Sequence, residues 1–391
     1  MSDTTLMDLA IKTSADAVDE RQDYIRKSRK IVLKLGTKVL LTHYIDINKD
    51  RINRLVDDIA LLRDKGFSFS IVTSGAVGFG MNLLGLEKRP TDLKKIQACA
   101  SIGQSLLMQK WNELFARKGI LVGQILLTYD IIESRKRFLH ARDCLRETIR
   151  FGAIPIVNEN DSVAVDELKF GDNDTLSALT ASLMDADLLV LFTDTDGVFD
   201  KNPHKHADAH RIPFIDEITN HVMTLIDDKP NDLSTGGMSS KLIAAQRCVA
   251  GGAAVVITDG MSPDLSGIFS GKDIGTFIKP DRKFTKKRKR WIFFNHKLKG
   301  KIIVDGGAEN ALLNHSSSLL PGGVIGTEGD FESGSIVGIF NIDHAMIGKG
   351  ITNYSSSEIQ KLKGRRTEEL RKSLVGPFHE EVVHRDNMII L

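Results

Sequence analysis

Cysteine is scarce in this sequence: Cys99, Cys144 and Cys248 are the only three in 391 residues, odd in number and far apart. That excludes a disulfide framework and the paired spacing of a zinc site, and a reduced, cytoplasmic setting is expected. An excess of one charge is also lacking. Lys and Arg total 53 against 51 Asp and Glu, and a formal net charge of +2 gives no broad field for nucleic acid or an anionic membrane. No apolar run approaches the roughly 18 residues of a membrane span. Met1 to Arg29 has charges scattered through it and no unbroken apolar stretch, so it reads as a flexible or helical extension and not as a signal peptide. The sequence has no Walker A pattern, no CxxC and no Ser/His/Asp order, and its first glycine loop is not GxGxxG. P-loop, dinucleotide-dehydrogenase and triad-hydrolase readings therefore lose their main support.

What is present is a chain with 41% hydrophobic and 27% charged residues, long enough for a large core and a second domain. The richest stretch is Gly171-Asp172-Asn173-Asp174, followed by Thr175 to Leu183 with leucines at helical spacing. It puts two carboxylates and an amide at a helix start, where Asp and Asn also serve as simple caps. Its neighbours favour a site. Upstream, Ile154-Pro155-Ile156-Val157 is a buried-strand pattern ending in Asn158-Glu159-Asn160-Asp161; downstream, Asp187 to Phe192 ends in Thr193-Asp194-Thr195-Asp196-Gly197. Apolar strands with polar C-terminal ends around a helix make a βαβ unit, and ligands gather at such ends.

Elsewhere, Lys30 to Leu35 is a strand whose apolar run is broken by Lys34 just before Gly36-Thr37. An ammonium there needs an anion, unless the strand lies at an edge and the side chain snorkels. Arg51 to Arg63 has a helical apolar face, and Phe67 to Val72 is the next strand. It ends at Thr73-Ser74-Gly75-Ala76, a small-residue loop opening a helix, whose N–H groups suit a phosphate or carboxylate. Helices are expected over Lys94 to Arg117 and Phe138 to Arg150, with a strand over Ile120 to Thr128. A second glycine loop, Ser234 to Lys241, feeds another helix, and Lys241 near its start is disfavoured by the dipole unless an anion is bound. Ala253 to Thr258 is read as the last strand of the first domain.

Three histidines in Pro203 to His210 read as a solvated loop, since no strand or helix fixes them for a metal. Past Pro280 the texture changes. Lys286-Lys287-Arg288-Lys289-Arg290 reads as a solvated linker rather than an RNA patch, and short β pieces follow at Trp291 to Phe294, Gly300 to Val304 and Gly334 to Phe340.

Two lysines on different loops, two glycine loops at helix starts and carboxylates at the strand ends form the inventory of phosphoryl transfer. Cations meet the phosphoryl oxygens, carboxylates orient them, and no covalent nucleophile is needed. Val32 to Thr37, Val72 to Ala76, Val157 to Asp161, Gly171 to Asp174, Thr193-Asp194 and Thr235 to Lys241 together resemble the amino acid kinase family, in its glutamate-phosphorylating branch. The tail from Trp291 to about Arg366 resembles a PUA module.

The resemblance implies an α/β fold, a three-layer α/β/α sandwich with a mainly parallel sheet, followed by a small mostly β PUA domain. The corresponding boundaries are an extension over 1–29, a catalytic domain over 30–280, a PUA-like domain over 281–367 and a tail over 368–391. It implies ATP-dependent phosphorylation of the L-glutamate side chain in proline biosynthesis, with Mg²⁺, feedback inhibition by proline, and a dimer or tetramer. Carried over by residue, Lys34, Lys241 and Asp174 are catalytic, and Ser74, Asp161 and Asn173 bind glutamate. Asp161 and Asn173 are expected to supply one acceptor and one donor for its ammonium and α-carboxylate. Lys34, Thr193, Asp194, Thr235, Gly236, Gly237, Met238, Ser239, Ser240 and Lys241 meet the nucleotide. Direct Mg²⁺ ligands are not identified. Two rivals stay open: a related kinase of aspartate, N-acetylglutamate or carbamate, and an RNA-binding protein working through its β-rich tail. Nucleic acid is not the expected partner, because that tail lacks aromatics interleaved with basic residues.

Overall fold

The computed structural model describes residues 15–42, 46–128, 131–132, 134–164, 173–203, 205–219, 222–223, 237–281, 292, 298–315, 317–365 and 379–390. They fall into two compact units, 1–283 and 284–391.

The first unit begins with helix α1 (Ala15–Lys27), strand β1 (Lys30–Leu35), a single turn α2 (Thr37–Leu40) and the small ribbon β2 (Leu41–Thr42) and β3 (Asp46–Ile47). Helix α3 (Lys49–Asp64) starts where the Asn48 side chain accepts from the Arg51 N–H, and it buries Ile52, Leu55, Val56, Ile59 and Leu62 along one stripe. Next come β4 (Ser68–Val72), α4 (Ala76–Leu83), α5 (Leu93–Ala116), β5 (Val122–Leu127), α6 (Arg135–Arg150) and β6 (Ile154–Glu159). The unit finishes with α7 (Asn173–Met184), β7 (Leu188–Thr193), β8 (Phe214–Ile215), α8 (Met238–Ala250), β9 (Ala254–Asp259), α9 (Leu265–Ser270) and β10 (Thr276–Ile278).

Eight of these strands form one sheet in the order β5-β6-β4-β1-β7-β9-β10-β8. Pairings from β5 to β9 are parallel, and β10 runs antiparallel to β9. β9 is therefore not the last strand, contrary to the sequence reading: three residues of β10 are too short to show a period. Being central, β1 is apolar on both faces, as a parallel strand covered by helices must be. Ile31, Val32, Leu33 and Leu35 are wholly buried, each worth about 1.5–3 kcal/mol of apolar transfer.

Alternation along β1 then decides where its lysine goes. Ile31, Leu33 and Leu35 join a core with residues of α1, α3, α4, α5 and α9. Lys34 has the opposite parity and faces the other layer, where α7 and α8 begin. Helices α4 and α5 touch backbone to backbone: a Cβ on Gly103 would stand 1.9 Å from the Ala76 carbonyl oxygen, and one on Gly80 would stand 1.8 Å from that of Cys99. The N-terminal helix belongs to this unit. Arg21, 5% exposed, pairs with Asp273 at 3.0 Å and also reaches the Ile274 carbonyl, and Tyr24 meets Phe277.

The second unit is a five-stranded sheet, ordered β12 (Val324–Glu328), β11 (Lys301–Val304), β13 (Ile336–Phe340), β14 (Met346–Ile351) and β15 (Met388–Ile390). Two short helices, α10 (Gly306–Asn314) and α11 (Ser356–Leu362), accompany it, the latter opened by a Ser355/Glu358 capping box. Ile302, Leu312, Val337, Ile339, Ile359 and Met388 share its core. The strand expected at Trp291 to Phe294 falls largely outside the described residues, and Ile292 is helical. Residues 379–390, read from sequence as a tail, supply β15 and the buried Val382, Val383 and Met388, because β15 completes the sheet edge beside β14.

Candidate active site

The parity of Lys34 carries its ammonium to the first turn of α7. Lys34 Nζ lies 2.5 Å from Asp174 Oδ1, and Lys241 Nζ lies 3.4 Å from Oδ2, which also accepts from Ser240 Oγ at 2.9 Å. Asp174 is wholly buried, and both lysine side chains are 7% exposed. Burial alone would raise the Asp174 carboxyl, but the charges of Lys34 and Lys241, with hydrogen bonds from Lys34 and Ser240, outweigh it and hold its pKa below the usual range. Two ammonium groups thus share one buried carboxylate, a cationic arrangement suited to an anion. Asp174 is thus a clamp on two cations and not an N-cap.

The residue before it belongs to a second cluster. Asn173 Nδ2 donates to the Thr73 carbonyl at 2.5 Å, to Ser74 Oγ at 2.7 Å and to Asn158 Oδ1 at 3.1 Å. Its N–H groups are committed, so Asn173 offers a ligand its Oδ1, an acceptor. The donor expected from Asn173 for an α-carboxylate is already in use. Donors exist next to Ser74 instead: Gly75, left-handed at φ 106°, turns the chain into α4, whose opening has no side-chain cap. Asp161 sits on the turn after β6, partly exposed, where Val163 and Ala164 N–H groups return to the Asn160 carbonyl.

On the other side of β1, Thr193 ends β7 and its Oγ1 donates to Asp194 Oδ1 at 3.2 Å. Asp194 pairs with Lys38 on α2, also at 3.2 Å, and not with Lys34 or Lys241. Burial works against the Asp194 carboxylate, yet the Lys38 hydrogen bond and charge hold its pKa below the usual range. Gly237, Met238 and Ser239 open α8 with no side-chain cap on its first N–H groups. Ser240 turns inward to Asp174, so its side chain braces the clamp, whereas the sequence reading aimed it at the nucleotide. Thr235 and Gly236, together with Gly171 and Asp172, lie outside the described residues.

Lys34, Asp174, Lys241 and Ser240 therefore come together, as do Asn173 and Ser74, and the adjacency of 173 and 174 joins the two groups. The sequence reading missed Asn158, which is 2% exposed, as a working side chain. Its signal was an amide at the end of an otherwise apolar strand. It also missed Lys38 and Gln104. Among the described residues no cluster of three or more acidic, histidine or cysteine side chains is arranged for a metal, and no helix is long and apolar enough to cross a membrane.

A mainly parallel sheet with two buried lysines on one carboxylate at its strand ends, between an uncapped helix start on each side, defines a phosphotransferase. The sequence profile of the amino acid kinase family matches residues 29–259 and that of the PUA domain residues 300–374. The chain belongs to the amino acid kinase family. Within it, similarity runs to glutamate 5-kinase of Moorella thermoacetica, 42% identical over 368 residues, covering 94% of this chain and 97% of that protein. Glutamate 5-kinase of Geobacter metallireducens is 41% identical, covering 95% of this chain and all of its own length. Among solved structures, UMP kinase from Bacillus anthracis has a TM-score of 0.47 at 18% identity, covering 66% of this chain and 98% of its own.

Proposed function

We propose that this chain transfers the γ-phosphoryl group of ATP to the side-chain carboxylate of L-glutamate, giving L-glutamyl 5-phosphate, the first step of proline biosynthesis from glutamate. The supporting observation is that Asp174, holding Lys34 and Lys241, directly follows Asn173 of the amide cluster. One helix start thus links a cationic centre to an acceptor pocket. The acceptor is ionised at neutral pH, so the reaction needs no general base. It needs charge neutralisation as two anions approach. Lys34 and Lys241 meet the phosphoryl and bridging oxygens, and Asp174 keeps both ammonium groups in place while burial strengthens their field. Asp161 and the Oδ1 of Asn173 accept from the substrate ammonium, and the α4 N–H groups and Ser74 receive a carboxylate. Thr193, Asp194 and the opening of α8 hold the nucleotide.

ATP would enter as its Mg²⁺ complex, the ion supplying further neutralisation of phosphate charge. Asp174 is committed to cations and is not its ligand. Every proposed site residue precedes Pro280, so catalysis is assigned to 30–280; a chain ending at Asp281 that folds but does not turn over would refute this. Proline inhibition and a homo-oligomeric cytoplasmic enzyme complete the reading, to be checked by proline titration and sedimentation.

The decisive assay is ATP consumption with hydroxylamine trapping of the acyl phosphate, comparing glutamate with aspartate, N-acetylglutamate and carbamate. Hydroxamate with glutamate is expected. Preference for another acceptor would sink the proposal.

A further inference from the structure

Helix α5 carries Gln97, Gln104 and Trp111 at seven-residue intervals, two helical turns or about 10 Å apart along one face. Each grips a different segment of the acceptor side. Trp111 Nε1 donates to Thr73 Oγ1 at 3.3 Å, Gln104 Oε1 accepts from Asn158 Nδ2 at 2.9 Å, and Gln97 Nε2 donates to the Ala164 carbonyl at 2.9 Å. Thr73 follows β4, Asn158 is in β6, and Ala164 closes the turn that bears Asp161. Asn158 shares its parity with Ile154 and Ile156, which join the core containing Leu107 and Trp111 of α5, so it faces this helix.

The amide orientations follow from one backbone atom. The Thr73 carbonyl can only accept, so the Asn173 atom at 2.5 Å from it must be the NH₂. That NH₂ then meets Asn158 as Oδ1, Asn158 turns its Nδ2 to Gln104, and Gln104 answers with Oε1. The cost falls on the last member: among the described residues, Gln104 Nε2 is buried with no hydrogen-bond partner. An unmet buried donor is destabilising, a cost retained here while Oε1 of the same amide serves Asn158.

We propose that α5 is the template of the acceptor pocket and that Gln104 is a positioning residue, fixing Asn158 and through it the acceptor face that Asn173 presents to the substrate. Gln104 touches no substrate. Its role is to hold Asn158 against Asn173, so that Asn158 Oδ1 and the Thr73 carbonyl together grip the Asn173 NH₂ and leave its Oδ1 to the substrate ammonium. This inference rests on glutamate being the acceptor at Ser74, Asp161 and Asn173.

The test uses the full chain with Gln104→Met and Gln104→Leu, alone and combined with Asn158→Ala. Either Gln104 substitution removes one unmet donor, Gln104 Nε2, and leaves another, Asn158 Nδ2, so the Tm is expected to stay near that of wild type, while the glutamate KM rises about tenfold and kcat and the ATP KM stay within about twofold. Added to Asn158→Ala, it should change the glutamate KM no further, because Gln104 acts through Asn158. A glutamate KM within twofold of wild type, a parallel rise in the ATP KM, full additivity in the double variant, or loss of folded protein with both substitutions would each overturn the proposal. If the wild-type chain does not phosphorylate glutamate, the functional reading fails instead. An active wild type with an indifferent Gln104 fails this relay alone.

Discussion

Lys34 Nζ and Asp174 Oδ1 stand 2.5 Å apart between β1 and α7, the carboxylate wholly buried and the lysine side chain 7% exposed. The contact is made by residues 140 positions apart in sequence (174 − 34), so it exists only once the sheet has formed.

Lys34→Ala and Lys241→Ala are expected to lower kcat by about 10² or more and to leave the glutamate KM within a few-fold, because each ammonium acts on charge that moves during transfer. Steady-state kinetics in both substrates decide this. Near-normal kcat in either variant removes that lysine from the mechanism.

Asp174→Asn leaves two buried ammonium groups without their shared carboxylate, a loss of about 3–5 kcal/mol for a broken buried pair, and kcat falls first. The sign of its pH dependence follows from the depressed folded pKa. The carboxylate's stabilisation is complete above its unfolded value of about 3.9 and is lost as pH falls through the lower folded value. Thermal melts of wild type and variant should therefore differ most above about pH 4 and converge below it. A gap that widens on acidification contradicts the assignment.

Asp161→Asn and Asn173→Ala are expected to raise the glutamate KM by about tenfold or more, equivalent to about 1.4 kcal/mol, with the ATP KM little changed. Equal weakening of both substrates by Asp161→Asn, or a collapse in its melting temperature, would show that the residue does not act on the acceptor.

Gly103→Ala probes the helix contact behind the pocket. Its Cβ would meet the Ala76 carbonyl oxygen at 1.9 Å and the Gly80 nitrogen at 2.3 Å, both backbone atoms that yield only if α4 and α5 part. A stability loss of at least about 1–3 kcal/mol is expected by chemical denaturation. Unchanged stability would mean that the two helices are not in backbone contact.

Lys34 was legible in the sequence because a charge inside an otherwise apolar strand breaks the binary pattern, and Asn173 and Asp174 because they crowd a helix start. The parallel sheet was legible from fully apolar strands alternating with helical stripes. Gln104 was not: an amide in mid-helix has the local pattern of a solvated residue, and only its partner on β6 gives it meaning. The three residues of β10 carry no period. The seat of α1 rests on Arg21 and Asp273, 252 positions apart, beyond the reach of any local signal.

The strand order separates the two proposed halves of the site. β4 and β6, with Thr73, Ser74, Asn158 and Asp161, lie on one side of β1, and β7 with Thr193 and Asp194 lies on the other. The start of α7 bridges them, through Asn173 on one side and Asp174 on the other. An ancestor with this sheet could change what it phosphorylates by altering the loops on one flank while its fuel supply stayed untouched. On the proposed assignment, acceptor choice is a local property of the β4–β6 flank, open to redesign by exchanging those loops and their α5 contacts without re-engineering the nucleotide side.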